Sequence, residues 1–149
     1  MAVVIESERL LIRPLRETER ESMVTIWLDP ANERLHETNT EEQVRRWVEG
    51  VWGVWERDTG ELVGDSTLFF AEEHGEWELA YGFRHDRWGR GYATEAAQAC
   101  VRHGFEILGL DRIVADVDPG NRASIRVLEK AGFDRVGGSG KTLLYAISR

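Results

Sequence analysis

"ELAYGFRHDRWGRGYATEAAQACVRHGFEIL", residues 78–108, changes character twice within one stretch. Residues 78–83 are β-prone and largely apolar, whereas residues 93–108 place apolar side chains at helical spacing. Between them lies a turn holding Gly89 and Gly91, with Arg84, Arg87 and Arg90 close by. Downstream, "RIVADV" (112–117) is a near-continuous apolar run and reads as an inner strand. A strand, a helix and a second strand in this order make a crossover unit, so 78–83 and 112–117 are expected to run parallel.

The flanking sequence fills in a sheet around that unit. "SERLLIRPL" (7–15) reads as a strand with a proline stop, and "ETERESMVTIWL" (17–28) as a helix. "TEEQVRRWVEGV" (40–51) carries a capping box, Thr40 with Gln43, ahead of a second helix. "VWGVWER", "ELVGDSTLFF" and "EWELAYGFR" are three strands separated by the short polar gaps "DTG" and "EEHG", which predicts antiparallel neighbours. "NRASIRVLEKAG" (121–132) is a helix capped by Asn121, and "FDRV" and "TLLYAIS" close the chain as a hairpin across "GGSG". The expected class is α+β: a mixed, mostly antiparallel central sheet with helices on both faces, in a single domain over 1–149.

Composition narrows the function. The chain has 27 acidic and 19 basic side chains, a formal net charge of −8, which argues against general nucleic-acid binding. No apolar run approaches the length of a membrane span, and the first residues show no signal-peptide pattern, so a cytoplasmic location is expected. One cysteine, Cys100, excludes an internal disulfide and sits in a helical apolar pattern that suits a buried, inert thiol. His36, His74, His85 and His103 show no metal-ligand spacing; no metal is expected, and the acidic residues near them read as solvated faces.

An acidic chain that sets glycines and arginines at a helix mouth is arranged to meet an anion. Helix starts leave N–H groups without acceptors and carry a positive partial charge, and glycines let an anion approach the main chain. The same residues could also form nothing more than a tight turn. A P-loop needs lysine and a hydroxyl residue after its last glycine, and here Tyr92 follows Gly91. A dinucleotide fingerprint comes nearer, with Asp116 or Asp118 as its acid, but Thr94 stands at its third glycine and an antiparallel meander precedes it.

"WGRGYATEA", preceded by "ELAYGF" and followed by "NRASIRVLEKAGF", resembles the GNAT superfamily of acyl-CoA-dependent N-acetyltransferases. "SERLLIRPL" resembles the opening strand of its Rim-type, ribosomal-protein N-acetyltransferase branch. The resemblance implies acetyl-CoA as cosubstrate and an amine as acceptor, with a monomer or homodimer as the assembly. It places the coenzyme's pyrophosphate on the amides of Gly89, Arg90, Gly91, Tyr92, Ala93 and Thr94, with Trp88 standing where a Gln or Arg is usual. The pantetheine arm would lie between the splayed parallel strands, with Phe83 and Arg84 as backbone partners and Gly82 either easing a bulge or packing small against a helix. Asn121 would contact the coenzyme as well as cap its helix.

The family's tyrosine acid is absent, because Leu128 stands at its position; Ser124, one turn earlier, is either the remaining proton donor, directly or through water, or only a local capping group. Glu78 matches a recurring family acid and would deprotonate the acceptor, although an anchoring hydrogen bond is an equal alternative. A catalytically silent acyl-CoA-binding module on the same fold is the rival reading. Glu33, Glu37 and Glu41 form either an acceptor-attracting or a plain solvated face.

Overall fold

The computed structural model describes residues 4–32 and 40–149. Glu33, His36 and Glu37 lie outside the described residues. Eight strands, β1 (Ile5–Glu6), β2 (Leu10–Pro14), β3 (Trp52–Glu56), β4 (Leu62–Ala71), β5 (Glu76–Phe83), β6 (Arg112–Val117), β7 (Asp134–Gly138) and β8 (Leu143–Ser148), form one sheet in the order β1-β2-β3-β4-β5-β6-β8-β7. Its helices are α1 (Arg20–Leu28), α2 (Glu41–Trp47), α3 (Tyr92–Glu106) and α4 (Arg122–Lys130).

Every strand pairing is antiparallel except that of β5 with β6. The expected crossover is therefore present, with α3 joining the two parallel strands. β4 and β5 stay in register from Ala71↔Glu76 to Gly64↔Phe83, whereas β5 and β6 meet at Glu78↔Val114 alone. Beyond that contact the two strands part. The bulge expected at Gly82 is absent, because Gly82 pairs regularly with Asp65. The opening arises from β5 holding to β4 along its length while β6 follows β8.

Side-chain alternation assigns the two faces. Ser66 is opposite Tyr81, and its hydroxyl lies 3.3 Å from Cys100 of α3, so Leu79, Tyr81 and Phe83 face α3 and α4. Asp65 is opposite Gly82 and accepts from Trp27 of α1 at 3.0 Å, so Glu78, Ala80 and Gly82 face α1 and α2. The larger core joins α3 and Leu128 of α4 to Leu10, Ile12, Leu79, Ile113 and Phe133. Met23, Val24, Val44 and Val48 make a smaller core on the other face. Cys100 is buried with its thiol pushed up to about 11, chiefly by desolvation, in keeping with an inert role.

The capping box predicted at Thr40 and Gln43 forms, with Gln43 N–H donating to Thr40 Oγ1 and Thr40 N–H to Gln43 Oε1. One expectation fails near the N-terminus: residues 7–9 are a turn between β1 and β2, closed by Ser7 N–H donating to Leu10 O at 3.0 Å. A contact to α3 pulls Ser7 and Arg9 out of the strand.

Candidate active site

The turn before α3 is built for close backbone approach. Gly89 and Gly91 adopt φ of 77° and 79°, left-handed values at which any Cβ is strained. Gly91 caps α3 without a side-chain acceptor, so the amides of Tyr92, Ala93 and Thr94 have no partner within the helix and point out of its N-terminus. Three of the six amides expected to line the turn, those of Tyr92, Ala93 and Thr94, therefore lie at the helix mouth. Tyr92 turns its side chain inward, where its hydroxyl donates to Glu56 of β3. Only its main chain is available to an anion.

The arginines are placed otherwise than the sequence suggested. Arg84 pairs with Asp86 at 2.7 Å, and Arg87 pairs with Glu56, Glu61 and Asp86. Their charge is spent within the protein. Arg90 keeps a half-exposed guanidinium, 3.8 Å from Glu56. Arg84 also fails as a backbone partner: its N–H donates to Val63 O at 2.8 Å and its carbonyl accepts from Arg87 N–H at 2.9 Å. Continuing that ladder alternation along β5, the amides of Leu79, Tyr81 and Phe83 point towards β6 and the opening. Phe83 O is already held at 2.8 Å by the indole N–H of Trp88, which folds the turn back onto β5.

A clamp absent from the expected site fixes the turn from outside. Arg9 donates through Nε to Glu95 Oε1 at 2.7 Å and through Nη1 to Arg90 O at 2.8 Å, and its guanidinium stacks 4.6 Å from the Tyr92 ring centre. Ser7 Oγ and the Arg9 amide donate to Glu95 Oε2. Burial alone would raise the Glu95 carboxyl, but the Ser7 and Arg9 hydrogen bonds outweigh it and hold it below the usual range. The "SER" of "SERLLIRPL" thus ties the sheet edge to the helix mouth. Arg9→Ala is expected to cost about 1 kcal/mol, a drop of a few degrees in Tm, and to loosen the turn at the mouth of α3. Differential scanning calorimetry and hydrogen exchange of the residue 89–94 amides check the two effects.

Where β5 and β6 part, a cleft of about 390 Å³ opens, lined by both faces of β5. From the α3–α4 side it is bordered by Tyr81, Asn121, Ser124 and Leu128. Asn121 Oδ1 accepts from Ser124 N–H at 3.1 Å, so the predicted cap forms and also borders the cleft. The Tyr81 hydroxyl lies 2.9 Å from Ser124 Oγ and donates to Ser124 O at 3.2 Å. This phenol escaped the sequence reading, which sought a tyrosine on α4 where Leu128 stands. The signal was present in "ELAYGF": three residues beyond Glu78, Tyr81 must face the opposite side of the strand.

From the other side the cleft is bordered by Glu78 and Asp116. Glu78 is buried, with Oε1 lacking a hydrogen-bond partner, and its pKa is pushed up to about 7 by desolvation first and then by the neighbouring Asp116 charge. His74, in the β4–β5 turn, places Nε2 2.9 Å from Asp116 Oδ2 and 3.5 Å from Glu78 Oε1. The acids beside this histidine are exposed, as expected of a solvated face, but the hairpin turn brings His74 between Asp116 and Glu78, a grouping that sequence spacing did not predict. Glu73, His74 and Asp116 bring a ring nitrogen and two carboxylates within 4.8 Å of one another. Glu41 behaves as a plain surface residue paired with Arg45 at 3.0 Å. No helix among the described residues is long and apolar enough to cross a membrane.

Comparison with known proteins agrees with this geometry. Residues 9–134 match the family described as acetyltransferase (GNAT) domain. The chain is 29% identical to the uncharacterized N-acetyltransferase YoaA of Bacillus subtilis (strain 168), over 92% of this chain and 86% of that one. Against two other curated relatives from Bacillus the match spans smaller shares, 60% and 46% of their length. The fold superposes with TM-score 0.83 on a GNAT-family acetyltransferase from Bacillus anthracis, at 29% identity and 98% coverage of both chains. It shares its fold, at TM-score 0.73 and 17% identity over 98% of this chain and 96% of the other, with ribosomal-protein-S5-alanine acetyltransferase from Vibrio fischeri. An amide-lined helix mouth, a splayed parallel strand pair and a family match across residues 9–134 place this chain in the GNAT acetyltransferase family.

Proposed function

We propose that the protein transfers the acetyl group of acetyl-CoA to a primary amine by direct attack on the thioester. The observation that carries this reading is the cleft between β5 and β6, with a carboxyl on one face and paired hydroxyls on the other. The diphosphate would rest on the amides of residues 89–94, and pantetheine would enter along the opening, where the Phe83 amide points. The thioester would then sit where the cleft passes from one sheet face to the other.

Chemistry follows from the two sides. An alkyl ammonium has a pKa near 10.4, so it must lose a proton before it can attack. Glu78, with a pKa about 7, is matched to take that proton near neutral pH. An amide of β5 that faces the opening stabilises the developing oxyanion. The departing thiolate is protonated from the opposite face by the Ser124 and Tyr81 hydroxyls, which act as a unit. Tyr81 supplies the phenol that Leu128 cannot, and this weighs against the silent-module reading.

Acetyl-CoA with a panel of amines (a peptide with an unblocked N-terminus, spermidine, free amino acids) tests the reading by thiol release, with mass spectrometry identifying the product. CoA binding without CoA release from any amine would favour the silent module. Tyr81→Phe and Ser124→Ala are each expected to lower kcat about tenfold or more while leaving acetyl-CoA affinity nearly unchanged. The double variant should lose little beyond the worse single one, because the two hydroxyls share one hydrogen bond.

A further inference from the structure

Glu78 must lose the proton it gains in each turnover, and it sits buried on the sheet. We propose that His74 and Asp116 form the outlet for that proton and, as positioning residues, govern the proton affinity of Glu78. The inference rests on the reading of Glu78 as base.

Geometry carries it. Glu78 Oε1 has no hydrogen-bond partner, and His74 Nε2 lies 3.5 Å from it. The same Nε2 is held at 2.9 Å by Asp116 Oδ2, so a small tilt of the ring exchanges one carboxylate for the other. The His74 side chain is 26% exposed and stands at the hairpin tip, fixed by its N–H donating to Ala71 O at 3.1 Å. It joins the buried carboxyl to solvent. The proton balance closes: Glu78 carboxylate takes H⁺ from the ammonium and passes it to the neutral imidazole, which turns its new N–H to Asp116 and yields a proton to water before the next cycle. The second amine proton, released as the amide forms, replaces the one that the Ser124–Tyr81 pair gives to the thiolate.

The groups facing Glu78 fix the signs. Phe69 of β4 lies directly opposite and does not titrate. Asp116 of β6 raises the Glu78 pKa, His74 lowers it and Glu73 raises it weakly; Asp118 and Lys141 also line the cleft. Asp116, through its hydrogen bond, also holds His74 above its ordinary pKa, which favours transfer of a proton from Glu78 to the neutral ring. The Asp116 influence on Glu78 is the larger of the two opposing ones.

Titration of ¹³C-labelled glutamate followed by NMR reads Glu78 directly, its signal identified by its loss in Glu78→Gln. His74→Gln is expected to raise the Glu78 midpoint by about one unit, and Asp116→Asn to lower it by about one unit. Shifts in one shared direction, or none, would overturn the proposal. For turnover with the fastest amine of the panel, His74→Ala should lower kcat about tenfold with acetyl-CoA KM unchanged, and added imidazole should restore it. Failure of imidazole to restore turnover overturns the outlet. Full activity in Glu78→Gln would overturn the base assignment and the outlet with it, even with the opposite NMR shifts intact.

Discussion

Glu78→Gln is expected to lower kcat/KM by a factor on the order of 10² to 10⁴ and, at the same time, to make the protein more stable at pH 8. Both effects come from one cause. Burial beside Asp116 lifts this carboxyl from 4.5 to about 7, so the fold binds its proton more tightly than the unfolded chain does. Below pH 4.5 both states are protonated and the group is neutral in the balance. As pH rises from 4.5 to about 7, the unfolded chain ionises first and stability is lost; above that window the loss is complete, at most about 3 kcal/mol. Glutamine keeps the shape and removes the ionisation. Its Tm should therefore match the parent at pH 4 and exceed it by several degrees at pH 8. Equal Tm differences at the two pH values would show that the folded carboxyl titrates normally, and unchanged kcat/KM would remove it from the mechanism.

A destabilising ionisable group at the head of a central strand is easier to understand as function than as architecture. Glu56 makes the contrast. It is also buried, yet Tyr92, Thr59 and Arg87 surround it with hydrogen bonds and hold it at about 2. That carboxylate is fully committed and anchors the helix mouth to β3. Glu78 is left with an unsatisfied oxygen facing a cleft. Two buried glutamates on neighbouring parts of one sheet are driven in opposite directions by their partners, and only one is poised to exchange a proton near neutrality.

The sequence disclosed order and pairing well because those depend on local signals. Alternation and glycine turns defined the β3–β4–β5 meander, and the crossover length required β5 and β6 to be parallel. Gly89 and Gly91 were legible because a left-handed backbone demands them. Long-range partners were hidden. Arg84 and Arg87 looked like charge offered to an anion, but Asp86, Glu56 and Glu61 neutralise them, two of these from another strand or its turn. Ser7 and Arg9 read as strand residues, and nothing near them in the chain announces Glu95, which lies 86 positions from Arg9. His74 and Tyr81 were visible as residue types and invisible as partners, since the first depends on a turn folding over β6 and the second on where α4 lands.

Gly91→Trp is expected to abolish detectable acetyl-CoA binding by isothermal titration while the far-ultraviolet circular dichroism spectrum stays that of the parent. Arg84 and Arg87 are already paired, so under the proposed function the diphosphate must rest on main-chain N–H groups at a helix start. Amides need the anion within about 3 Å, and an indole on the capping residue stands in that approach. At φ of 79° any side chain here is strained by about 1–2 kcal/mol, which a folded domain of this size tolerates. A Cβ at Gly91 would meet Arg9 Nη2 at 3.5 Å, ordinary contact, so alanine leaves the clamp intact. Gly91→Ala separates strain from obstruction: it carries the same backbone cost without the bulk and should weaken binding by about tenfold at most. Should the tryptophan variant bind acetyl-CoA as tightly as the parent, the diphosphate rests elsewhere, and the orientation of the thioester in the cleft between β5 and β6 would have to be argued afresh.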